Sequence, residues 1–441
     1  MREVEVASAA LGLILGVLAA VPASAWDRTD GAIINLALPA LVNAAGRITA
    51  DRAPVEGLTV GPDNRIYAAS NGRGSTIGNL FVFDNATPPN FYIGQTTCIA
   101  NPVPPAEPAP CSVPIQNSSN NILGIRFVPG TNNLWVLDGS DPPQILEVNP
   151  ADGTSTRLAI TFDPRAVLNG ITFDPAGNAY VSDSGLGRIY QIPAGNPAGT
   201  NIWSFGGFMG DPLLLPQFPR TDAPCPPPNM NPSNPACPNL NGITPPFGAN
   251  GIEFYPPGCT PGTGICSLLV ANTANRQILQ IFCCNPNNPG RALPASVLVN
   301  GVNGPDGIAV DPATNFIWVA ANQSDEIVVI QPTTLPRVIA KLSDFNGINA
   351  AGRLNRGGVL FPTSLAFSCI IGIPTGNTCP GFPLPAQRTL YVANSVFTSA
   401  AAIDTEWAQL VTLFTVAIIP VPTIPPCLPG VPPQNCGFFR P

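Results

Sequence analysis

Histidine is absent from this sequence and lysine occurs once, at Lys341. Without an imidazole, a Ser-His-Asp triad, a Cys-His pair, His-ligated zinc, copper or iron, and His-ligated haem are all excluded. General-base catalysis by histidine goes with them. What remains is oxygen chemistry: carboxylates, side-chain amides and backbone carbonyls, alone or around a hard cation. Charged residues make up only 10% of the chain, the net charge is −7, and the positive charges form no cluster. That balance argues against nucleic acid or an anionic membrane surface as a partner. Long apolar runs are also lacking after the N-terminus. The nearest, Ala408 to Val421, falls short of the roughly 18 residues a span requires and contains Pro420, so it reads as strand.

Proline (55), glycine (42) and cysteine (12) are plentiful, and 45% of residues are hydrophobic. Without a collagen period, that composition means a sizeable core built from short strands and many turns. Arg2, the apolar run Ala7 to Val21, Pro22 and the small residues Ala23-Ser24-Ala25 read as a secretory signal peptide over 1–25, cleaved before Trp26. An uncleaved anchor is the alternative. Removal leaves a net charge of −6 and a chain that is secreted or periplasmic, with no membrane span. All cysteines follow the signal, which suits an oxidising compartment. Cys98/Cys111, Cys225/Cys237, Cys259/Cys266, Cys369/Cys379 and Cys427/Cys436 each bracket a Pro-rich segment that near-neighbour pairing would staple. Cys283 and Cys284 are left adjacent, as a vicinal disulfide, two thiols, or partners of other cysteines.

The segment LNGITFDPAGNAYVSDSGLGRIYQI (Leu168 to Ile192) alternates short strands with turns at Asp174–Asn178 and Ser184–Gly187. The same grammar recurs from Val55, Ile122, Ala249, Pro305 and Pro362. Units of about four strands, each too small to bury its own faces, call for radial repetition. The expected fold is all-β, a six-bladed β-propeller over 26–420, with Pro-rich disulfide-stapled loop insertions and a Pro-rich tail over 421–441. The sixth unit lacks an outer strand while Gly31 to Leu38 is an orphan, so the N-terminal strand should close the ring. A seven-bladed ring is the rival. The longest insertion, Gly206 to Phe247, should cover one face.

In each unit the residue before the glycine of the inner strand should face the central channel. These are Glu56, Leu123, Asn169, Asn250 and Asp306, with Thr363-Ser364 departing in the sixth. Glu56, Asn169, Asn250 and Asp306 are oxygen donors, a set that suits Ca²⁺ or another divalent cation with waters completing its shell. The bland alternative is that Asn, Asp or Glu before Gly simply suits a tight turn into a strand. Arg165, four residues before Asn169, can reach the channel mouth and grip an anionic substrate, or be an ordinary surface arginine. Trp135, Tyr180, Trp318 and Tyr391 fall in second strands and should pack between blades. Asn85, Asn117 and Asn322 begin glycosylation sequons that chance explains as well.

GIAVDPATNFIWVAANQSDEIVVI resembles the NHL repeat. Glu56 (VEGL), Asn250 (ANGI) and Asp306 (PDGI) resemble the site residues of the senescence-marker/gluconolactonase family of six-bladed propellers. That resemblance implies a divalent-cation-dependent hydrolase of small cyclic esters, in which Asp306 is both ligand and catalytic proton acceptor. Gly57-Leu58 stands where that family usually has a proline soon after its Glu, and Leu168 stands where its blade-three Asn commonly lies. LWVLDGSDPPQILEV with LNGITF is similar to the yellow/royal-jelly family, and ILGIRF with LWVLDGS to strictosidine-synthase-like propellers. These keep open a non-catalytic scaffold that binds a protein, glycan or small ligand.

Overall fold

The computed structural model describes residues 34–37, 41–42, 48–50, 55–70, 77–83, 91–93, 96–98, 112–205, 248–261, 266–282, 292–312, 314–333, 335–342, 359, 361–368, 388–394 and 415–421. The segment 1–25 expected to be a signal peptide, the insertion 206–247, the tail beyond Val421 and every cysteine except Cys98, Cys259 and Cys266 lie outside them.

Six antiparallel sheets form a six-bladed β-propeller. Their inner strands are Val55–Val60, Ile122–Phe127, Leu168–Phe173, Ala249–Tyr255, Pro305–Val310 and Pro362–Ser368. Each inner strand touches the next, and the sixth touches the first, so the ring closes with six blades and not seven. Ile34–Ala37 pairs antiparallel with Thr415–Val421, Ile34 opposite Ile418, and supplies the outer strand of blade 6 as expected. Two boundaries differ from the sequence reading. The third strand of blade 6 lies a few residues later than QLVTLFTV suggests and includes Pro420, which sits opposite Thr389. The outer edge of blade 1 is shared, Phe91–Ile93 pairing with one end of Asn79–Phe83 and Val113–Pro114 with the other.

The core lies between blades rather than within them, because a single twisted sheet cannot cover its own faces. Tyr67 meets Phe127 at 4.8 Å between ring centroids, Trp135 meets Phe173 at 5.3 Å, Tyr180 meets Phe254 at 5.0 Å and Trp318 meets Phe367 at 5.8 Å. In each pair an aromatic of one blade's second strand packs on the inner strand of the next. Tyr391 reaches Phe83 of blade 1 instead, at 6.0 Å. Burial of such side chains is worth about 1.5–3 kcal/mol each, against about 0.5–1.5 for the ring geometry itself, so area rather than orientation holds the blades together. Cys259 and Cys266 form a disulfide across the turn between the first two strands of blade 4, with Cα atoms 5.4 Å apart.

Candidate functional site

One irregularity recurs in all six blades and builds the channel. In blade 3 the pair Leu168–Asp183 is followed by Ile171–Val181, so the inner strand spends one residue more than its partner. The same step occurs between Val55 and Leu58, Ile122 and Ile125, Ala249 and Ile252, Pro305 and Ile308, and Pro362 and Leu365. Each is a β-bulge, which kinks a strand and re-aims its side chains. The bulged dipeptides are the residue–glycine pairs singled out in the sequence.

The glycines are there for a different reason than a tight turn. None of Gly57, Gly124, Gly170, Gly251 or Gly307 has a positive φ. Instead, a Cβ on Gly124 would lie 2.1 Å from the carbonyl oxygen of Asn169 in the next blade, and one on Gly251 would lie 2.2 Å from that of Asp306. Close approach of neighbouring backbones demands glycine at these positions. Blade 6 has no glycine here. Its junction with blade 1 uses hydroxyls: Thr363 Oγ1 donates to Glu56 O at 3.3 Å, and Leu58 N donates to Ser364 Oγ at 3.3 Å.

The bulges surround a cavity of about 50 Å³, lined by Glu56, Asn169, Asp306, Thr363 and Arg126 among its polar residues. Below the bulges its wall is aliphatic from every blade: Leu58, Ile125, Ile171, Ile252, Ile308 and Leu365. Such a volume has room for a cation and a few waters. Glu56 and Asp306 are each 5% exposed and Asn250 2%, whereas Asn169 is half-buried. Asn250 reaches the cavity wall only through its neighbour Gly251. Arg165 is elsewhere, exposed on the turn before blade 3, where its guanidinium grips Asp163 at 2.8 and 3.1 Å.

Burial, and then the negative charge of Glu56, hold the carboxyl of Asp306 well above its ordinary value of 3.8, against a hydrogen bond that Asn322 Nδ2 donates to Asp306 Oδ2 at 3.2 Å. The amide oxygen of Asn250 is buried and has no hydrogen-bond partner. A buried acceptor left unmade costs about 1–3 kcal/mol. Two acids on the bulges of blades 1 and 5 and an orphaned amide oxygen on that of blade 4 are a hard-oxygen donor set, and they fit a divalent cation of the calcium type. Among the described residues no three His, Cys, Asp or Glu side chains gather at one point, so amide and backbone oxygens or water would have to complete its shell.

The next level of the channel has opposite character. Arg126 of blade 2 donates to Glu253 of blade 4 at 2.9 Å, and Thr172 of blade 3 donates to the other oxygen of Glu253 at 3.0 Å. Three consecutive blades are thereby tied through one carboxylate. The sequence reading missed these residues, as it did Thr273 and Asn322. A lone arginine in ILGIRF and a lone glutamate in NGIEF, in strands otherwise apolar, were the available signal. Asn322 had been noted only as a sequon. Its side chain is buried against Asp306, so it is no glycan acceptor in the folded chain.

No family model matches the chain, and no curated protein does either. Among solved structures it is similar to a luciferin-regenerating enzyme (13% identity, TM-score 0.48, covering 88% of this chain and 96% of that one). A streptogramin B lyase gives 10% identity and a TM-score of 0.42 over the same shares. An auxiliary nutrient binding protein from Bacteroides thetaiotaomicron gives 9%, 0.46, 88% and 76% respectively.

Proposed function

We propose that the chain is a divalent-cation-dependent hydrolase of small cyclic esters, with the ion held in the propeller channel. The observation that carries this reading is the pair of buried acids Glu56 and Asp306 lining the channel cavity, with the unpartnered Asn250 Oδ1 on the bulge of blade 4, next to that of Asp306. Glu56, Asn250 and Asp306 would hold the ion, with Asn169 at the cavity edge as a further oxygen donor. A cation there would polarise an ester carbonyl and acidify a bound water. Opening the ring adds a water oxygen to the ester carbon and breaks the ring C–O bond. One proton must therefore leave the water and one must reach the departing alkoxide. Asp306, beside the ion, would take the first and return the second. The exposed Arg165 guanidinium, occupied by Asp163, is not needed for this chemistry. The Cys259–Cys266 disulfide supports an exported chain, and among the described residues no helix is long and apolar enough to cross a membrane.

The second reading is a non-catalytic NHL-type scaffold that binds a protein, glycan or small ligand. The cavity favours it: about 50 Å³ receives an ion with its waters more easily than a sugar ring. Metal analysis of the purified protein, a Ca²⁺ titration followed by thermal unfolding, and hydroxy-acid release from a panel of γ- and δ-lactones separate the two. Stoichiometric binding of one ion with lactone turnover, both lost in Asp306→Ala, supports the hydrolase. Ion binding without turnover leaves the scaffold, and no response to any divalent ion removes the metal site.

A further inference from the structure

The position just after the second strand holds a hydrogen-bonding residue in blades 4 and 5, and each serves its own blade's bulge. In blade 5 it is Asn322, bound to Asp306. In blade 4 it is Thr273, which follows Ser267–Asn272 and is 3% exposed. Asn250 Nδ2 lies 3.0 Å from Thr273 Oγ1, and Thr273 Oγ1 lies 2.7 Å from the carbonyl oxygen of Pro305, the residue before Asp306.

A threonine hydroxyl has one proton. The carbonyl of Pro305 can only accept, so that proton goes to Pro305, and Thr273 meets Asn250 with a lone pair. Only the NH₂ branch of the Asn250 amide can answer a lone pair. The carbonyl branch is therefore turned away from Thr273, and it is this oxygen that is buried with no partner. The opposite flip would set two oxygens against each other at Thr273 and put N–H groups where a cation needs an acceptor.

We propose that Thr273 is a positioning residue for the channel cation: its hydroxyl orients the Asn250 amide so that Oδ1 is offered as a ligand, and it ties that ligand to the strand that bears Asp306. This rests on the cation-binding part of the proposed function and is independent of the hydrolytic part. Partners of metal ligands typically change affinity by about 10- to 100-fold when removed. The relay Asn250–Thr273–Pro305 also couples two ligands of adjacent blades through one oxygen atom.

The test measures ion affinity directly, by Ca²⁺ calorimetry and by Tb³⁺ luminescence, for wild type, Thr273→Val, Thr273→Ser, Asn250→Ala and the Asn250→Ala/Thr273→Val double variant. Thermal unfolding without added cation checks that each is folded. Thr273→Val is nearly isosteric and should weaken binding by about tenfold or more, while Thr273→Ser, which keeps the hydroxyl, should bind as wild type does. Because Thr273 acts through Asn250, the second substitution should cost nothing further once Asn250 is alanine. Thr273→Val binding as tightly as wild type overturns the inference, and so does an equal loss in the Asn250→Ala background. Failure of the wild type to bind any ion removes the metal reading itself, and this inference falls with it; ion binding by wild type with Thr273→Val unchanged removes this inference alone.

Discussion

Two levels of one channel carry opposite electrostatic arrangements. At the bulges, burial and then the charge of Glu56 raise the proton affinity of Asp306. One step further along the inner strands, Arg126 and Glu253 meet at 2.9 Å with Thr172 completing the carboxylate. The lower level is chemically complete within the chain. At the upper level two buried acids repel each other, and a proton on Asp306 relieves that repulsion. Three residues along the inner strands, from Leu123 to Arg126, Asn169 to Thr172 and Asn250 to Glu253, thus separate a structural ion pair from a pair of mutually repelling acids.

Four substitutions or conditions bear on that contrast. The largest effect is expected from Gly251→Ala, whose Cβ would lie 2.2 Å from Asp306 O and 2.7 Å from Gly307 Cα. Both obstacles are backbone, so blades 4 and 5 must part, at a cost of about 3 kcal/mol. Chemical denaturation should register the loss, and any cation-induced rise in unfolding temperature should vanish with it. Arg126→Met should come next. It leaves Glu253, whose side chain is 14% exposed, without its charged partner though with Thr172 still donating to it, and costs about 2 kcal/mol. Adding Glu253→Gln should recover part of this, and ion affinity should move by less than about threefold, since 1.4 kcal/mol would be tenfold. An equal loss of affinity in Arg126→Met and Asp306→Asn would mean that the two levels are one site.

Asp306→Asn should do the reverse of Arg126→Met. Removing one of two mutually repelling buried acids should stabilise the cation-free protein. The Ca²⁺-dependent gain should disappear at the same time. The smallest effect is with pH. The folded protein holds a proton on Asp306 at pH values where the unfolded chain, near its ordinary 3.8, has released it. Over that window the native state binds more protons, so stability present below about pH 4 is lost as pH rises through the raised value. Unfolding measured from pH 3.5 upward should show this decline in wild type, less of it in Asp306→Asn, and less with saturating Ca²⁺. Asp183, also raised by burial, adds a slope of the same sign that Asp306→Asn leaves in place.

Much of the architecture was legible because it is local and repeated. Turn residues such as Asp174–Asn178 announced the strands, six recurrences announced the ring, and an orphan N-terminal strand announced its closure. The aromatic rungs between blades followed from alternation in the second strands. The bulge glycines were visible in the sequence, but not their reason: Gly124 and Gly251 stand there for the carbonyls of Asn169 and Asp306 in the next blade. The shared edge of blade 1 was also hidden, because Val113–Pro114 reaches Asn79–Leu80 across a long insertion.

By itself, then, the sequence determined the fold class, the blade count, the lack of any imidazole chemistry and the residues standing before each inner-strand glycine. These depend on composition and on spacings of a few residues, which strand periodicity and turn chemistry translate directly. Only the tertiary structure decided what those residues face. Arg126 and Glu253 are 127 positions apart, and Thr273 lies 23 from Asn250 and 32 from Pro305. No periodicity links such partners; the ring brings them together because every inner strand must pass the same axis, where six bulges converge on a space wide enough for an ion and its waters.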